Sequence, residues 1–208
     1  FRRVLFRSMN TLETVSGRKI DVANPSPDTI EITDIAWALS RMPRFSGHSI
    51  PYIPYSVAQH CIQVSKELAP HGPKIQLYGL LHDAAEAYMN DLPSPIKHIP
   101  EIHAVIRKLE DKLMLTIYEA IGVDPPTDEE EQIVKIADKH QQAVEAYNFM
   151  YSRGSDWDLP EVSFKKLQEF EQPLTSVEAY DKFLFFFENL RILDRKSTRL
   201  NSSHIPLS

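Results

Sequence analysis

LLHDAAEAYMNDLPSPIK, residues 80–97, decides how the rest of the chain is read. Its first half has the make-up of a helix that buries Leu80, Leu81, Ala84, Ala85 and Ala87. Yet His82, Asp83 and Glu86 place three ionisable groups within five residues of that apolar run. An unpaired charge inside a protein is expensive, so such groups are paired with one another or gathered around a cation.

Two other helical stretches carry the same anomaly. His60 lies in SVAQHCIQVS (56–65), among Val57, Ala58, Ile62 and Val64. Asp138 lies in IVKIADK (133–139), among Ile133, Ile136 and Ala137. Two imidazoles and two carboxylates make a mixed nitrogen and oxygen set that suits one first-row divalent metal with positions left for water. Neighbours on a helix point about 100° apart, so His82 and Asp83 can still converge on one ion.

The remaining pattern is helical. Residues 10–32 read as an irregular arm with a short strand pair. Thr33 is expected to cap a helix running to about Met42, and PRFSGHSIPYIP (43–54) is a proline- and aromatic-rich loop suited to face a substrate. Helices are expected from Tyr55 or Ser56 to Ala69 and from Lys74 to about Met89, with NDLPSPIKHIP (90–100) as a loop behind the second. Ile102, Val105, Ile106, Leu109, Leu113, Ile117 and Ile121 repeat at helical steps, and Gly122 ends that helix. Thr127 with Glu130 forms a capping box for a helix over 128–151. The polar segment SRGSDWDLP follows, and Ser176 is expected to cap a last helix, VEAYDKFLFFFENLRIL. Trp37 and the aromatics of FLFFF (183–187) read as core, and Cys61 as a small packing residue. The expectation is an all-α single domain, a bundle of about six helices.

Composition bounds the rest. The single cysteine rules out an internal disulfide framework and, with no visible signal peptide, points to a cytoplasmic protein. No apolar run reaches the roughly 18–20 residues of a membrane helix. The formal charge of −6 argues against a nucleic-acid polymer as partner. Both ends are foreign to the helical pattern. FRRVLFRS reads back into DNA as TTC AGA CGT GTG CTC TTC CGA TCT, and DRKSTRLN as GAT CGG AAG AGC ACA CGT CTG AAC. Apart from one flanking base the two strings are reverse complements and resemble a sequencing adaptor read through as protein. Residues 1–8 and 195–208 are therefore set aside as non-native, Met9 is the expected start, and 9–194 is the expected domain. Without Arg2, Arg3, Arg7, Arg195, Lys196 and Arg199 the charge moves from −6 to about −12.

The set His60, His82–Asp83 and Asp138 resembles the H…HD…D pattern of HD-domain metal-dependent phosphohydrolases. SVAQHCIQVS resembles the first-histidine helix of bacterial 5′-deoxynucleotidases and phage dATP triphosphohydrolases. LLHDAAEAYMNDLPSPIK resembles their HD helix with its D-L-P-x-P-x-K loop, and LSRMPRFSGH (39–48) the arginine–aromatic segment before the first histidine. The resemblance covers about residues 16–150. It implies that His60, His82, Asp83 and Asp138 bind one divalent transition metal ion (Co, Mn, Zn, Fe or Ni). It implies that Glu86 orients or activates the attacking water, that Arg44 holds the phosphate, and that Asp91 contacts the sugar. Phe45 stands where the deoxynucleotidases carry a tryptophan beside the sugar, which puts exclusion of the ribose 2′-hydroxyl in doubt, and Lys97 adds positive charge near the phosphates. His48 reads equally as a base or phosphate contact and as a loop hydrogen bond. His98 and His103 match no motif and read as surface histidines.

The expected activity is hydrolysis of the 5′-phosphate ester of a small-molecule (deoxy)nucleoside monophosphate, giving nucleoside and phosphate. A dNTP triphosphohydrolase releasing triphosphate, or a non-catalytic nucleotide-sensing HD module, are the alternatives. The resemblance also implies a homodimer.

Overall fold

The computed structural model describes residues 10–202, and side chains to residue 194. The expected foreign segment 1–8 and the last residues of 195–208 lie outside the described residues; the backbone of 195–202 continues the final helix.

The arm is a small antiparallel hairpin. Strand β1 (Thr11–Glu13) pairs with β2 (Lys19–Asp21), with Leu12 opposite Ile20. Ile20 is fully buried and anchors the hairpin to the core. Its turn is tied to helix α1 (Ile32–Arg41), because Ser16 donates from its amide (3.0 Å) and its hydroxyl (2.7 Å) to the buried Asp34 carboxylate. The cap of α1 is Glu31, not Thr33, and its side chain makes no cap hydrogen bond. The Glu31 carboxylate is taken by Arg18 instead.

Helix α2 (Val57–Glu67) is the centre of the bundle. The Ser56 hydroxyl caps it by accepting from the Gln59 amide, and Val57, Ala58, His60, Cys61, Ile62 and Val64 are all fully buried. Helix α3 (Pro73–Leu81) packs across it with Leu77, Leu80 and Leu81 fully buried. The expected helix from 74 to 89 is broken. Residues 82–85 form a tightened turn before the short α4 (Glu86–Met89), with amides of Ala84, Glu86, Ala87 and Tyr88 each bonding three residues back.

Loop 90–100 holds a short helix, α5 (Ser94–Lys97). Then come α6 (Pro100–Ile121), ended by Gly122 in the left-handed conformation, and α7 (Asp128–Phe149), with the Thr127–Glu130 capping box in place. The periodic stripe of α6 is buried only in its second half, at Leu113 and Ile117; Val105 is 61% exposed, since the first half extends past the bundle. A short α8 (Phe164–Gln168) precedes α9 (Ser176–Ser202). The cap of α9 is Thr175 rather than Ser176: Thr175 and Glu178 exchange backbone and side-chain hydrogen bonds in a capping box. Of the aromatics expected in the core, Phe183 is fully buried, Phe185 is exposed, and Trp37 lies at the surface under Arg41 and against Tyr180. The fold is all-α, and its six longer helices match those expected except that the one begun near Lys74 ends at Leu81. Among the described residues no helix is long and apolar enough to cross a membrane.

Candidate metal centre and adjoining pocket

Three elements bring the polar groups together. The middle of α2 supplies His60, the tight turn after α3 supplies His82 and Asp83, and α7 supplies Asp138. His60 Nε2 lies 3.0 Å from Asp138 Oδ1, 3.2 Å from His82 Nε2 and 3.8 Å from Asp83 Oδ2. His82 Nε2 lies 3.2 Å from Asp83 Oδ2 and 3.8 Å from Asp138 Oδ1. Ligands held about 2.1 Å from one ion have separations of this order.

The proton arrangement explains what the cluster lacks. His60 Nδ1 donates to Glu145 Oε1 at 2.6 Å, and His82 Nδ1 donates to the Gly79 carbonyl at 2.8 Å. Each imidazole therefore turns an Nε2 lone pair inward, toward the other and toward two carboxylates. Four electron-rich atoms meet with no hydrogen between them unless the rings take up protons. Burial pushes both imidazoles down, but the carboxylates outweigh it: Glu145 and Asp138 raise His60, and Asp83 raises His82 well above its ordinary range. The site draws in positive charge, and His60, His82 and Asp138, with donor atoms all within 4.8 Å of one another, can hold a metal ion. Cys61, His82 and Asp83 form an overlapping group, but burial pushes the Cys61 thiol up to about 11, so it stays a neutral packing group.

Glu145 is a member that the resemblance did not supply. It is buried on α7, two turns from Asp138, and bridges two functional side chains. One oxygen fixes the ring of His60; the other lies 3.5 Å from Arg44 Nε. Arg44 is placed by an antiparallel bridge between Pro43 and Ser56, in which its amide donates to the Tyr55 carbonyl at 2.8 Å. Its Nη1 lies 3.8 Å from Asp83 Oδ2. Phe45 and Ser46 follow with φ of 55° and 51°, a left-handed pair that residues with side chains seldom adopt.

Glu86 is buried at the start of α4. Because the turn at 82–85 has three residues per repeat, Glu86 lies above Asp83 rather than above His82, and its amide bonds to the Asp83 carbonyl at 3.0 Å. Burial, then Asp83 and Asp91, push its carboxyl up to about 8. Lys97 does not reach into open space. Its ammonium is held between Glu86 Oε1 (3.0 Å) and Glu110 Oε1 (2.9 Å).

Next to the cluster is a pocket of about 710 Å³, within the range of small-molecule sites. Arg44, Phe45 and Asp91 line it, as do His48 and His98. Its far wall comes from α7 and the segment after it: Lys139, Gln142, Met150, Trp157 and Leu159. Arg44 thus faces both the cluster and the pocket. His98 and His103 are exposed and stack on each other, and neither belongs to a metal-capable group among the described residues.

A helical bundle with a buried histidine–carboxylate centre beside a ligand-sized pocket is the class that the fold and site define. The chain belongs to the family of the Escherichia coli (strain K12) protein recorded as "Uncharacterized protein YfdR", with which it is 33% identical over 183 residues, 88% of this chain and 96% of that protein. It is also 34% identical over 113 residues to "Uncharacterized protein RCAP_rcc00048" of Rhodobacter capsulatus, a match over 52% of this chain and 57% of that protein. No family model matches the chain.

Proposed function

We propose that the protein is a metal-dependent phosphohydrolase of the HD-domain type that cleaves the 5′-phosphate ester of (deoxy)nucleoside monophosphates. The observation that carries this reading is the gathering of His60, His82 and Asp138 within 4.8 Å of one another, with Asp83 Oδ2 3.8 Å from His60 Nε2 and 3.2 Å from His82 Nε2, and with Arg44 reaching from Asp83 into the pocket. A divalent transition metal held by those four residues supplies Lewis acidity and lowers the pKa of water, which is the chemistry that ester hydrolysis needs. Arg44, set by Glu145, offers a planar fork to two phosphate oxygens entering from the pocket. Glu86, buried beside Asp83 with its carboxyl held up at about 8, takes the proton of the attacking water in its carboxylate form. Lys97 holds the Glu86 carboxylate in place. The water oxygen bonds to phosphorus, the bond from phosphorus to the 5′ oxygen breaks, the 5′ oxygen takes a proton from solvent, and Glu86 returns to solvent the proton that it accepted.

A second reading, release of triphosphate from a dNTP, is favoured by the size of the pocket and by Lys139, His48 and His98 around it. The test is hydrolysis of dNMPs, NMPs and dNTPs with each of several divalent metals, resolving orthophosphate from pyrophosphate and triphosphate. Orthophosphate from monophosphates is the expected product. Triphosphate from a dNTP moves the protein to the second reading. Glu86→Gln is expected to keep metal affinity within about threefold while the rate falls at least 100-fold, the scale of general base loss. Normal turnover by that variant removes Glu86 from the chemistry.

A further inference from the structure

The segment that follows α7 is built to present one aromatic ring. Arg153 and Gly154 both have positive φ, 54° and 74°. At Gly154 a Cβ would lie 2.9 Å from Ala146 Cβ and 3.1 Å from Leu159 Cδ1, so only glycine lets the chain turn this closely onto α7. The Trp157 amide closes the turn on the Gly154 carbonyl at 3.1 Å. The result places Trp157 against Phe45, ring centroids 5.8 Å apart and planes tilted 55°. Phe45 is itself held in the left-handed conformation. Two strained backbone segments far apart in sequence thus meet as one aromatic corner of the pocket. The opposite requirement, a phosphate contact, is met by Arg44, the residue before Phe45.

We infer that Trp157 and Phe45 form a subsite for the planar heteroaromatic ring of a nucleobase, and that Trp157 is a specificity-determining residue. The inference rests on the nucleotide reading above and adds the wall that tells a nucleotide from a sugar phosphate. Stacking on an aromatic side chain accepts any base, because every base has a π face, so the subsite selects for a base without choosing strongly among them.

The chain holds two tryptophans, Trp37 and Trp157. Trp37 lies on α1, edge-on to Tyr180, and Trp37→Phe leaves Trp157 as the one tryptophan emitter. In that background, titration with dAMP is expected to quench the emission saturably, while 2-deoxyribose 5-phosphate and inorganic phosphate leave it unchanged. Trp157→Ala is expected to raise the KM for dAMP about tenfold, the lower end of what one stacked base contributes. Trp157→Phe should restore most of it, which a merely structural tryptophan would not show. Equal quenching by 2-deoxyribose 5-phosphate, or an unchanged KM in a folded Trp157→Ala protein, overturns the subsite while leaving the hydrolase reading intact. Selective quenching by dAMP with no hydrolysis of any phosphate ester upholds the subsite and overturns the hydrolase reading.

Discussion

Glu145 touches both His60 of the candidate metal centre and Arg44, which lines the pocket. Removing its charge frees the His60 ring to rotate or change tautomer and takes away the carboxylate 3.5 Å from Arg44 Nε. Outer carboxylates on metal-binding histidines contribute about 10–100-fold in affinity. Glu145→Gln is therefore expected to weaken Mn²⁺ or Co²⁺ binding, measured by calorimetry, by about that factor with the helical circular dichroism unchanged. Unaltered affinity would mean that His60 is oriented by packing alone. The residue was open to the same reasoning that singles out Asp138. It is an acid among Ala143, Val144 and Ala146 on the same helix, seven residues on and so on the same face. What hid it is that the resemblance draws the eye to the ligands, and an outer partner belongs to no motif. The reverse holds for Lys97. Sequence gives its charge, but only the fold shows that Glu86 and Glu110 consume it.

At the scale of elements, the approach of α3 to α2 sets where His82 and Asp83 can stand. Gly79 is the point of contact: a Cβ there would lie 2.4 Å from Leu68 Cδ1 and 3.4 Å from the Ser65 backbone. Its carbonyl is also the acceptor for His82 Nδ1. Alanine in a helix gains roughly 0.5–1 kcal/mol over glycine, whereas overpacking a close contact costs about 1–3 kcal/mol. The clash wins, so Gly79→Ala is expected to lower the Tm by a few degrees and to weaken metal binding with it. A Tm that is unchanged or higher would mean that Leu68 turns aside freely. The periodicity that marks the long helices is legible because 3.6-residue spacing covers twenty or more residues in α6 and α7. The break after Leu81 is not, since residues 82–85 keep helical composition and near-helical dihedrals and differ only in bonding three residues back instead of four. Likewise α6 shows one continuous apolar stripe, and only the tertiary arrangement decides that its second half is covered and its first is not.

For the whole molecule, His60, His82, Asp83 and Asp138 come from three elements that are otherwise joined mainly by apolar packing: α2, the turn after α3, and α7. The class of fold was readable because helices such as α6 and α7 are long and periodic enough to be seen alone. That the three elements would meet was readable because polar groups on three apolar faces need one another or a cation, and His60, His82 and Asp138 do come within 4.8 Å of one another. The pocket was half readable: PRFSGHSIPYIP announces one wall, while the wall after α7 has the composition of an ordinary polar loop. An ion at the meeting point should therefore act on folding as well as chemistry. Without it, the carboxylates of Asp83 and Asp138 and the inward lone pairs of two imidazoles are left to one another, or to protons taken up at some cost. A ligand that binds only the folded state stabilises it by about 2.7 kcal/mol at 100 times its Kd. For a chain of this size that corresponds to a rise in Tm of about 5–11 °C. Mn²⁺, Co²⁺ or Ni²⁺ added to chelator-treated protein is expected to produce such a rise, and EDTA to reverse it. Asp138→Ala should abolish the rise with each metal, because it removes one donor and exposes the cluster, while Glu86→Gln should retain it. A metal-dependent shift that survives in Asp138→Ala would place the ion elsewhere, and with it the chemistry assigned to α2, the turn and α7.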